Sequence, residues 1–327
     1  MAALSEAQPL ELVDLRKISA ADLSHLLEHE LREWRRGLDW DFRPSAELVR
    51  RFVGMQALSG YALLAGRRVA GYSYFVTEER KGLVGDLYVL HEHRTPRNEN
   101  ALLEAVLNDL LAIPYLRRVE AQLMMMVVPN GRNLPKGEFL SVHPRNFMVF
   151  DLCRTSELSP GAAAARLHFE TWSDGRQEEA GRVIAEAYSG HVDSGINDQY
   201  RSAGGARRFL TNIVQYPGCG QFFQPASLLA SDVSTGRLCG VCLASLLARD
   251  VGHITQICVS PPMQGIGAGY ELLRRSLAVL AASGCRKASL TVTAANTGAV
   301  RLYERVGFAT IRQFPALVWE GFAKDIW

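Results

Sequence analysis

The sequence predicts an α/β protein made of two tandem domains that share one fold. The chain has 327 residues, whereas a single domain usually has ~150. Its second half contains a β-type strand, a glycine-rich loop and an amphipathic helix in direct succession. Its first half contains elements in the same order. With 48% hydrophobic residues, the chain has enough apolar side chains for two cores.

An internal repeat supports the two-domain prediction. Gly71 and Gly240 close equivalent strand–turn–strand units that lie 169 positions apart, and the next strands end at Val89 and Val259, 170 positions apart. The following helix and strand repeat at nearly the same spacing. Because turn-forming residues occupy 155–161, we predict a linker there. The predicted domains are therefore residues 1–158 and 159–327.

The glycine-rich loop, residues 260–269, lies between a strand and a helix. Such a junction directs backbone N–H groups and the positive end of a helix dipole at one point, where a phosphate can bind. Glycine favours this because a Cβ would keep the anion away. Other phosphate-binding patterns fit less well. Tyr270 replaces the third glycine of a dinucleotide fingerprint, and no Lys-Ser or Lys-Thr pair follows the loop.

The residues downstream of the loop extend the pattern. A β-type run at 287–293 is followed by 296–308, which reads N-x-x-A-x-x-L-Y-x-x-x-G-F. The stretch 252–308 resembles the acetyl-CoA-binding core of the GNAT acyltransferases. The resemblance implies that each domain has a mixed, mostly antiparallel central sheet flanked by helices. It also implies acetyl-CoA, or another acyl-CoA, as the cofactor of the C-terminal domain.

The same resemblance implies which residues bind the cofactor. They are the end of a splayed strand, the loop and the start of the last short helix, namely Ile257, Cys258, Val259, Gln264, Gly265, Ile266, Gly267, Ala268, Gly269 and Asn296. Pro262 stands where the family usually has Gln or Arg, so Gln264 is expected to contribute through the loop backbone rather than its side chain. Asn296 is also a favourable helix N-cap, which is an alternative role.

Acetyl transfer to an amine requires a neutral nucleophile, stabilisation of the developing oxyanion and a proton for the leaving thiolate. Tyr303 stands where the family has a tyrosine near the sulfur, and a phenol with a pKa of about 10 is protonated at neutral pH. We predict that it is the general acid, with a packing role as the alternative. His253 stands where many members have a carboxylate base. A structural histidine at a strand start is an equal alternative, and Glu271 and Glu304 are expected to be solvated.

The acceptor is predicted to approach through residues 188–200, a polar and aromatic segment. Tyr188, Asp193 and Asp198 are the expected substrate contacts, because carboxylates and aromatic rings favour a cationic amine. A plain solvated loop is the alternative.

The N-terminal domain is predicted to be a degenerate copy without a cofactor site. Residues 91–98 replace the glycine-rich loop with larger side chains, a proline and the acidic Glu92. His91 and His93 could be metal ligands, but exposed loop histidines are commoner. Cys239 and Cys242 lie in an apolar strand pattern and are expected to be buried thiols. No metal site is therefore predicted.

Charge and hydropathy limit the partners. The net charge is +2 and no basic run occurs, so nucleic acid is disfavoured. Residues 1–6 do not resemble a leader and no apolar run approaches ~20 residues, so we expect a soluble, cytoplasmic protein with no membrane partner. The oligomeric state is left open.

These observations predict an N-acetyltransferase that transfers an acetyl group from acetyl-CoA to a primary amine by direct attack in a ternary complex. Two alternatives remain open at this stage. One is a non-catalytic acyl-CoA-binding sensor or scaffold, and the other is an enzyme that acetylates proteins or peptides.

Overall fold

The computed structural model describes residues 10–126, 128, 132–216 and 218–323. Residues 1–6, on which the expected lack of a leader depends, lie outside this range. The strands are β1 Leu10–Asp14, β2 Ser59–Ala65, β3 Arg68–Glu78, β4 Lys81–Val89, β5 Arg118–Gln122, β6 Leu140–Asp151, β7 Leu167–Thr171, β8 Gln221–Phe222, β9 Leu228–Asp232, β10 Leu238–Ala248, β11 Val251–Val259, β12 Lys287–Thr293 and β13 Ala309–Glu320. The α-helices are α1 Ala20–Leu38, α2 Arg43–Gly54, α3 Pro96–Ala112, α4 Gln177–Ala187, α5 Asp193–Ile196, α6 Ala203–Gln215, α7 Ala268–Ala282 and α8 Thr297–Val306.

The chain forms two compact units. The first contains the described residues of 1–38, 42–143 and 314–327, and the second contains those of 39–41 and 144–313. The two units interleave in sequence because each unit contains a strand segment from the other half of the chain. From Arg145 onward β6 pairs with β12, and from Ala316 onward β13 pairs with β5. The boundary predicted at 158/159 follows chain order instead and stays a prediction.

The first unit is a mixed sheet with the strand order β1–β2–β3–β4–β5–β13. Its neighbouring strands are antiparallel except for β4 and β5, which run parallel. One face of α3 packs on this sheet, because apolar residues recur at helical spacing and are buried there: Leu102, Leu103, Val106, Leu107 and Leu110. Trp319 of β13 is fully buried in the same core.

The second unit has the strand order β6–β12–β11–β10–β9–β7, with the short β8 also paired to β10. Again one pair, β11 and β12, is parallel. Helix α7 lies close to this sheet because two strand glycines make room for its leucines. A Cβ on Gly252 would come within 2.6 Å of Leu280 Cδ1, and one on Gly240 within 2.7 Å of Leu272 Cδ1.

The two units have equivalent topologies. The order β2–β3–β4–α3–β5 in the first corresponds to β9–β10–β11–α7–β12 in the second, with the parallel pair in the same place. The predicted fold, two tandem domains with mixed and mostly antiparallel sheets, is confirmed. Cys239 and Cys242 are buried in β10 as predicted. Among the described helices, none combines the length and apolarity needed to cross a bilayer.

The prediction for Glu271 was wrong, whereas Glu304 is exposed as expected. Glu271 is fully buried: its carboxylate accepts a hydrogen bond from the backbone N–H of Gly161 and pairs with Arg274 at 3.0 Å. Its burial follows from residues 159–165 packing over the start of α7, where the Tyr270 hydroxyl donates to the Ser159 carbonyl at 2.7 Å. Helix periodicity alone does not show such a covering segment.

Candidate active site

The candidate site begins where β11 and β12 separate. Their parallel pairing extends from Val251–Lys287 to Ile254–Leu290 and ends there. Beyond that point β11 continues along β10 and β12 continues along β6. The register of β10 with β11 also shifts between Leu243 and Ala244, as a β-bulge does. The backbone of residues 257–259 therefore lies at an opening in the sheet.

The glycine-rich loop lies next to this opening. Gly265 and Gly267 have φ values of +76° and +93°, a backbone region that favours glycine. Gly267 precedes the first turn of α7, and no described side chain caps that helix. The loop thus brings the N-terminus of α7, with its positive dipole end, to a position where an anion can approach.

A cleft of about 810 Å³ runs along the strand opening, the loop and the start of α8. All the predicted cofactor residues line it except Ile266. It is also lined by Tyr270, Leu302 and Arg305, which were not predicted from the sequence. The sequence contained a signal for Arg305. It follows Leu302 by three residues in a helix, and this spacing places both side chains on one face.

The side chain of Gln264 bonds to the backbone of the preceding strand. Its Nε2 donates to the Val259 carbonyl at 3.2 Å and ties the loop to the strand end. In the first unit Arg94, 170 positions earlier, donates to the Val89 carbonyl from Nε and Nη2 at 3.1 and 3.0 Å. The loops of the two units differ, but in both units a loop side chain donates a hydrogen bond to the carbonyl at the end of the preceding strand.

Asn296 has the capping role considered above. Its Oδ1 accepts the Ala299 N–H at 3.2 Å and caps α8. Asn296 also lines the cleft, so the cap fixes one cleft wall.

A smaller inner pocket of about 100 Å³ adjoins the cleft. Both cavities are lined by Tyr188, Ile257, Asn296 and Ala299, so they share a wall. Tyr303 lines the inner pocket and is 7% exposed. Burial raises the pKa of Tyr303 above its ordinary value, and the phenol therefore remains protonated at neutral pH.

Two further tyrosines form a wall of the inner pocket. The rings of Tyr188 and Tyr200 stack with centroids 4.3 Å apart. Gln256 Nε2 donates to the Tyr188 hydroxyl at 3.1 Å, and the Tyr200 hydroxyl donates to Gln256 Oε1 at 3.3 Å. Gln256 was not predicted from the sequence, although a polar residue within the apolar run of β11 was a visible signal.

The two predicted substrate carboxylates occupy different environments. Asp193 lines the inner pocket, is 9% exposed and accepts a hydrogen bond from the Thr293 hydroxyl. Its backbone N–H donates to His191 Nδ1 at 3.1 Å. Asp198 is not among the described residues that line either cavity. The structure therefore brings Asp193, but not Asp198, to the same pocket as Tyr303 and Tyr188.

His253 lies apart from both cavities, within the unit's interior. It is 4% exposed, its Nδ1 lies 2.9 Å from the Ser289 hydroxyl oxygen, and its ring packs between Phe147 and Trp40 at centroid distances of 6.0 and 5.6 Å. Burial lowers its pKa to about 3, with a smaller contribution from Arg145. The imidazole is consequently neutral at physiological pH, and the described residues that line the two cavities do not include it.

In the equivalent loop of the first unit, polar groups of the loop form hydrogen bonds with one another. Thr95 caps α3 by accepting the Asn98 N–H on Oγ1 at 3.2 Å, and Pro96 occupies the first turn. The Asn98 side chain donates to the His93 carbonyl at 2.7 Å. Because a side chain already occupies part of this helix N-terminus, the loop offers fewer N–H groups to an anion than the loop of the second unit.

The fold and site define the class of protein. Residues 196–308 match the acetyltransferase (GNAT) family model. The C-terminal half of the chain therefore carries a GNAT-family acyltransferase domain, and the two-unit fold is similar to that of a solved tandem GNAT protein.

Two similar sequences illustrate the relationship. The chain is 26% identical over 255 residues to the mycothiol acetyltransferase of Saccharopolyspora erythraea, which covers 75% of this chain and 80% of that protein. It is 30% identical over 152 residues to the mycothiol acetyltransferase of Thermobispora bispora, which covers 43% of this chain and 46% of that protein. The second alignment thus spans about half of that relative's length.

Solved structures agree on the fold. A GCN5-related N-acetyltransferase from Sphaerobacter thermophilus superposes with a TM-score of 0.67 over 97% of both chains at 18% identity. A tandem GNAT protein from the clavulanic acid biosynthesis pathway gives 0.57 over 95% of this chain and 98% of the other at 16% identity. These structures share the fold of this chain, but sequence identities this low show nothing about its substrate.

Proposed function

We propose that the second unit transfers an acetyl group from acetyl-CoA to the primary amine of a small molecule in a ternary complex. One observation carries this proposal. A glycine loop at a helix start without a side-chain cap borders a cleft of about 810 Å³, and this cleft shares a wall with a pocket that contains a protonated tyrosine. The proposed cofactor site and the proposed proton donor are therefore adjacent.

The cleft residues fit an acyl-CoA. The amides of residues 265–269 suit a pyrophosphate, because they combine glycine flexibility with the dipole of α7. The backbone at residues 257–259 lies at the strand opening, where it can bond an extended pantetheine arm. Arg305 adds a positive charge to the wall. Acetyl-CoA supplies the thioester, and the overall transfer forms a C–N bond, breaks a C–S bond and moves one proton from nitrogen to sulfur.

The residues of the inner pocket divide the remaining work. Tyr303 donates the proton that the departing sulfur requires. Asp193 holds the ammonium group of the acceptor and passes its first proton, directly or through water, to solvent. After the attack, the second nitrogen proton replaces the one that Tyr303 gives to sulfur. Tyr188 and Tyr200, fixed by Gln256, form an aromatic wall against the acceptor. We assign His253 a structural role, because its burial and low pKa argue against the predicted role as base.

The pocket favours a small acceptor over the two alternatives. Its volume of about 100 Å³ suits the reacting end of a small molecule and supports no extended peptide groove. A sensor that only binds acyl-CoA would need neither Tyr303 nor a charged group beside it. The mycothiol acetyltransferase relatives are consistent with a small-molecule amine.

The test is thiol release from acetyl-CoA by the purified protein in the presence of amines, amino acids, aminoglycosides and peptides. We expect release that depends on a small amine and is lost in Gly265→Glu. Stoichiometric binding of acetyl-CoA without thiol release on any amine would contradict transfer and favour the sensor. Release with peptides alone would favour a peptide acetyltransferase.

A further inference from the structure

The inner pocket contains one positive and one negative side chain. Arg145 on β6 and Asp193 on α5 both line it. The remaining lining residues are uncharged and include the phenols of Tyr188, Tyr200 and Tyr303. A guanidinium in the wall repels a cationic group of the acceptor and attracts an anionic one.

Strand pairing places the two charges around one residue. Arg145 is the register partner of Thr293 across β6 and β12, and the Thr293 hydroxyl donates to Asp193. The Nη2 of Arg145 also lies 3.5 Å from the Thr291 carbonyl, at the edge of hydrogen-bond range. The guanidinium is thus held along β12, which forms part of the pocket wall.

Both charges act on the same phenols. Burial has the largest influence on the pKa of Tyr303 and of Tyr200 and raises both. Asp193 raises both pKa values further, and Arg145 opposes the rise in both. Because Arg145 and Asp193 line the pocket together with these phenols, a ligand in the pocket lies near both a cation and an anion.

We infer that the acceptor is a small α-amino acid or a close analogue, with its carboxylate on Arg145 and its amino group between Asp193 and Tyr303. This inference rests on the proposed function and names the substrate class of the same site. A planar guanidinium suits a carboxylate because it can donate two parallel hydrogen bonds. The pocket volume of about 100 Å³ limits the acceptor to a short side chain.

The experiment compares matched acceptors that differ only in the carboxylate. Glycine, L-alanine and L-serine are each assayed beside the corresponding C-terminal amide, with kcat/KM measured for N-acetylation. We expect wild type to favour the acids by about tenfold to a hundredfold, the value of a charge-assisted hydrogen bond. Arg145→Gln should remove this preference by lowering the acid values and leaving the amide values within about threefold. Arg301→Gln, an exposed arginine outside the lining of both cavities, is the control.

The outcomes separate this inference from the proposed function. Acetylation of no amine in the wider screen would defeat the proposed function, whereas acetylation of other amines but of none of these six acceptors would overturn the substrate class alone. Acetylation of acids and amides with equal kcat/KM, or a preference that survives in Arg145→Gln, would overturn the substrate class alone. If Arg145→Gln fails to fold, Arg145→Lys replaces it. Loss of most of the acid preference in that variant supports the bidentate contact, and an unchanged preference overturns it.

Discussion

The side-chain amide of Gln256 donates a hydrogen bond to the Tyr188 hydroxyl across 3.1 Å. Tyr188 lines both the cleft and the inner pocket, so this bond fixes the wall that the two cavities share. The geometry links a strand residue, whose position the sheet determines, to a residue at the end of α4. This hydrogen bond therefore orients a residue that borders both the proposed cofactor cleft and the proposed acceptor pocket.

Replacing Tyr303 by Phe should lower kcat by about 10²–10⁴-fold, because the phenol is proposed to donate the proton to sulfur. Acetyl-CoA affinity should stay nearly unchanged, since Tyr303 lines the inner pocket and not the cleft. Tyr216→Phe removes a hydroxyl from a tyrosine that is 62% exposed and provides the matched control. A kcat loss below about threefold in Tyr303→Phe would reduce the residue to a packing role.

Replacing Asp193 by Asn should raise the amine KM by at least about tenfold, because the neutral amide no longer attracts an ammonium group. Asp198→Asn should leave KM within about threefold, since the lining of neither cavity includes Asp198. The pair is matched in chemistry and differs only in position. Steady-state kinetics on the amine that the screen identifies decides the point, and equal effects at both positions would contradict the assignment.

His253 should make the protein less stable in mild acid. Its pKa is about 3 in the folded state and 6.5 ordinarily, so below about pH 6.5 the unfolded chain binds a proton that the folded chain does not. The free energy of unfolding should therefore fall as pH decreases from 6.5 towards 3, by about 2 kcal/mol at pH 5.

The variant His253→Gln should lose this part of the pH dependence. Urea unfolding of both proteins at about pH 7.5 and about pH 5 measures the change in the free energy of unfolding between the two pH values. Comparing this change between wild type and variant cancels any pH-independent effect of the substitution on stability. The rate–pH profile of His253→Gln should keep its shape. An acidic limb that shifts with this substitution would restore His253 as the base.

Much of the fold was predictable from the chain because local signals agreed with each other. The spacing between Gly71 and Gly240 reappears as equivalent strand pairs, and the loop glycines adopt the positive φ values that their type suggests. The exchange of β13 and part of β6 between the units was not predictable, because pairing between distant strands depends on tertiary packing that periodicity does not encode.

The site was predictable where backbone chemistry defines it and less so where side chains meet from distant segments. Almost the whole predicted cofactor set lines the cleft. Arg145 and Gln256 were missed because they reach the inner pocket from strands that are far apart in sequence. His253 has the predicted position on β11, but the covering by Trp40 and Phe147 that makes it neutral comes from elsewhere in the chain.

The most direct test of the central claim is calorimetric titration of the full chain with acetyl-CoA. We expect one site per chain, lost in Gly265→Glu because a carboxylate would face the pyrophosphate at an open position. Gly236→Glu is the matched control, since Gly236 has a similar φ of +68° and equally open surroundings in the β9–β10 turn. Two equivalent sites, or a site that survives Gly265→Glu in a protein with unchanged circular dichroism, would contradict a single cofactor site in the second unit.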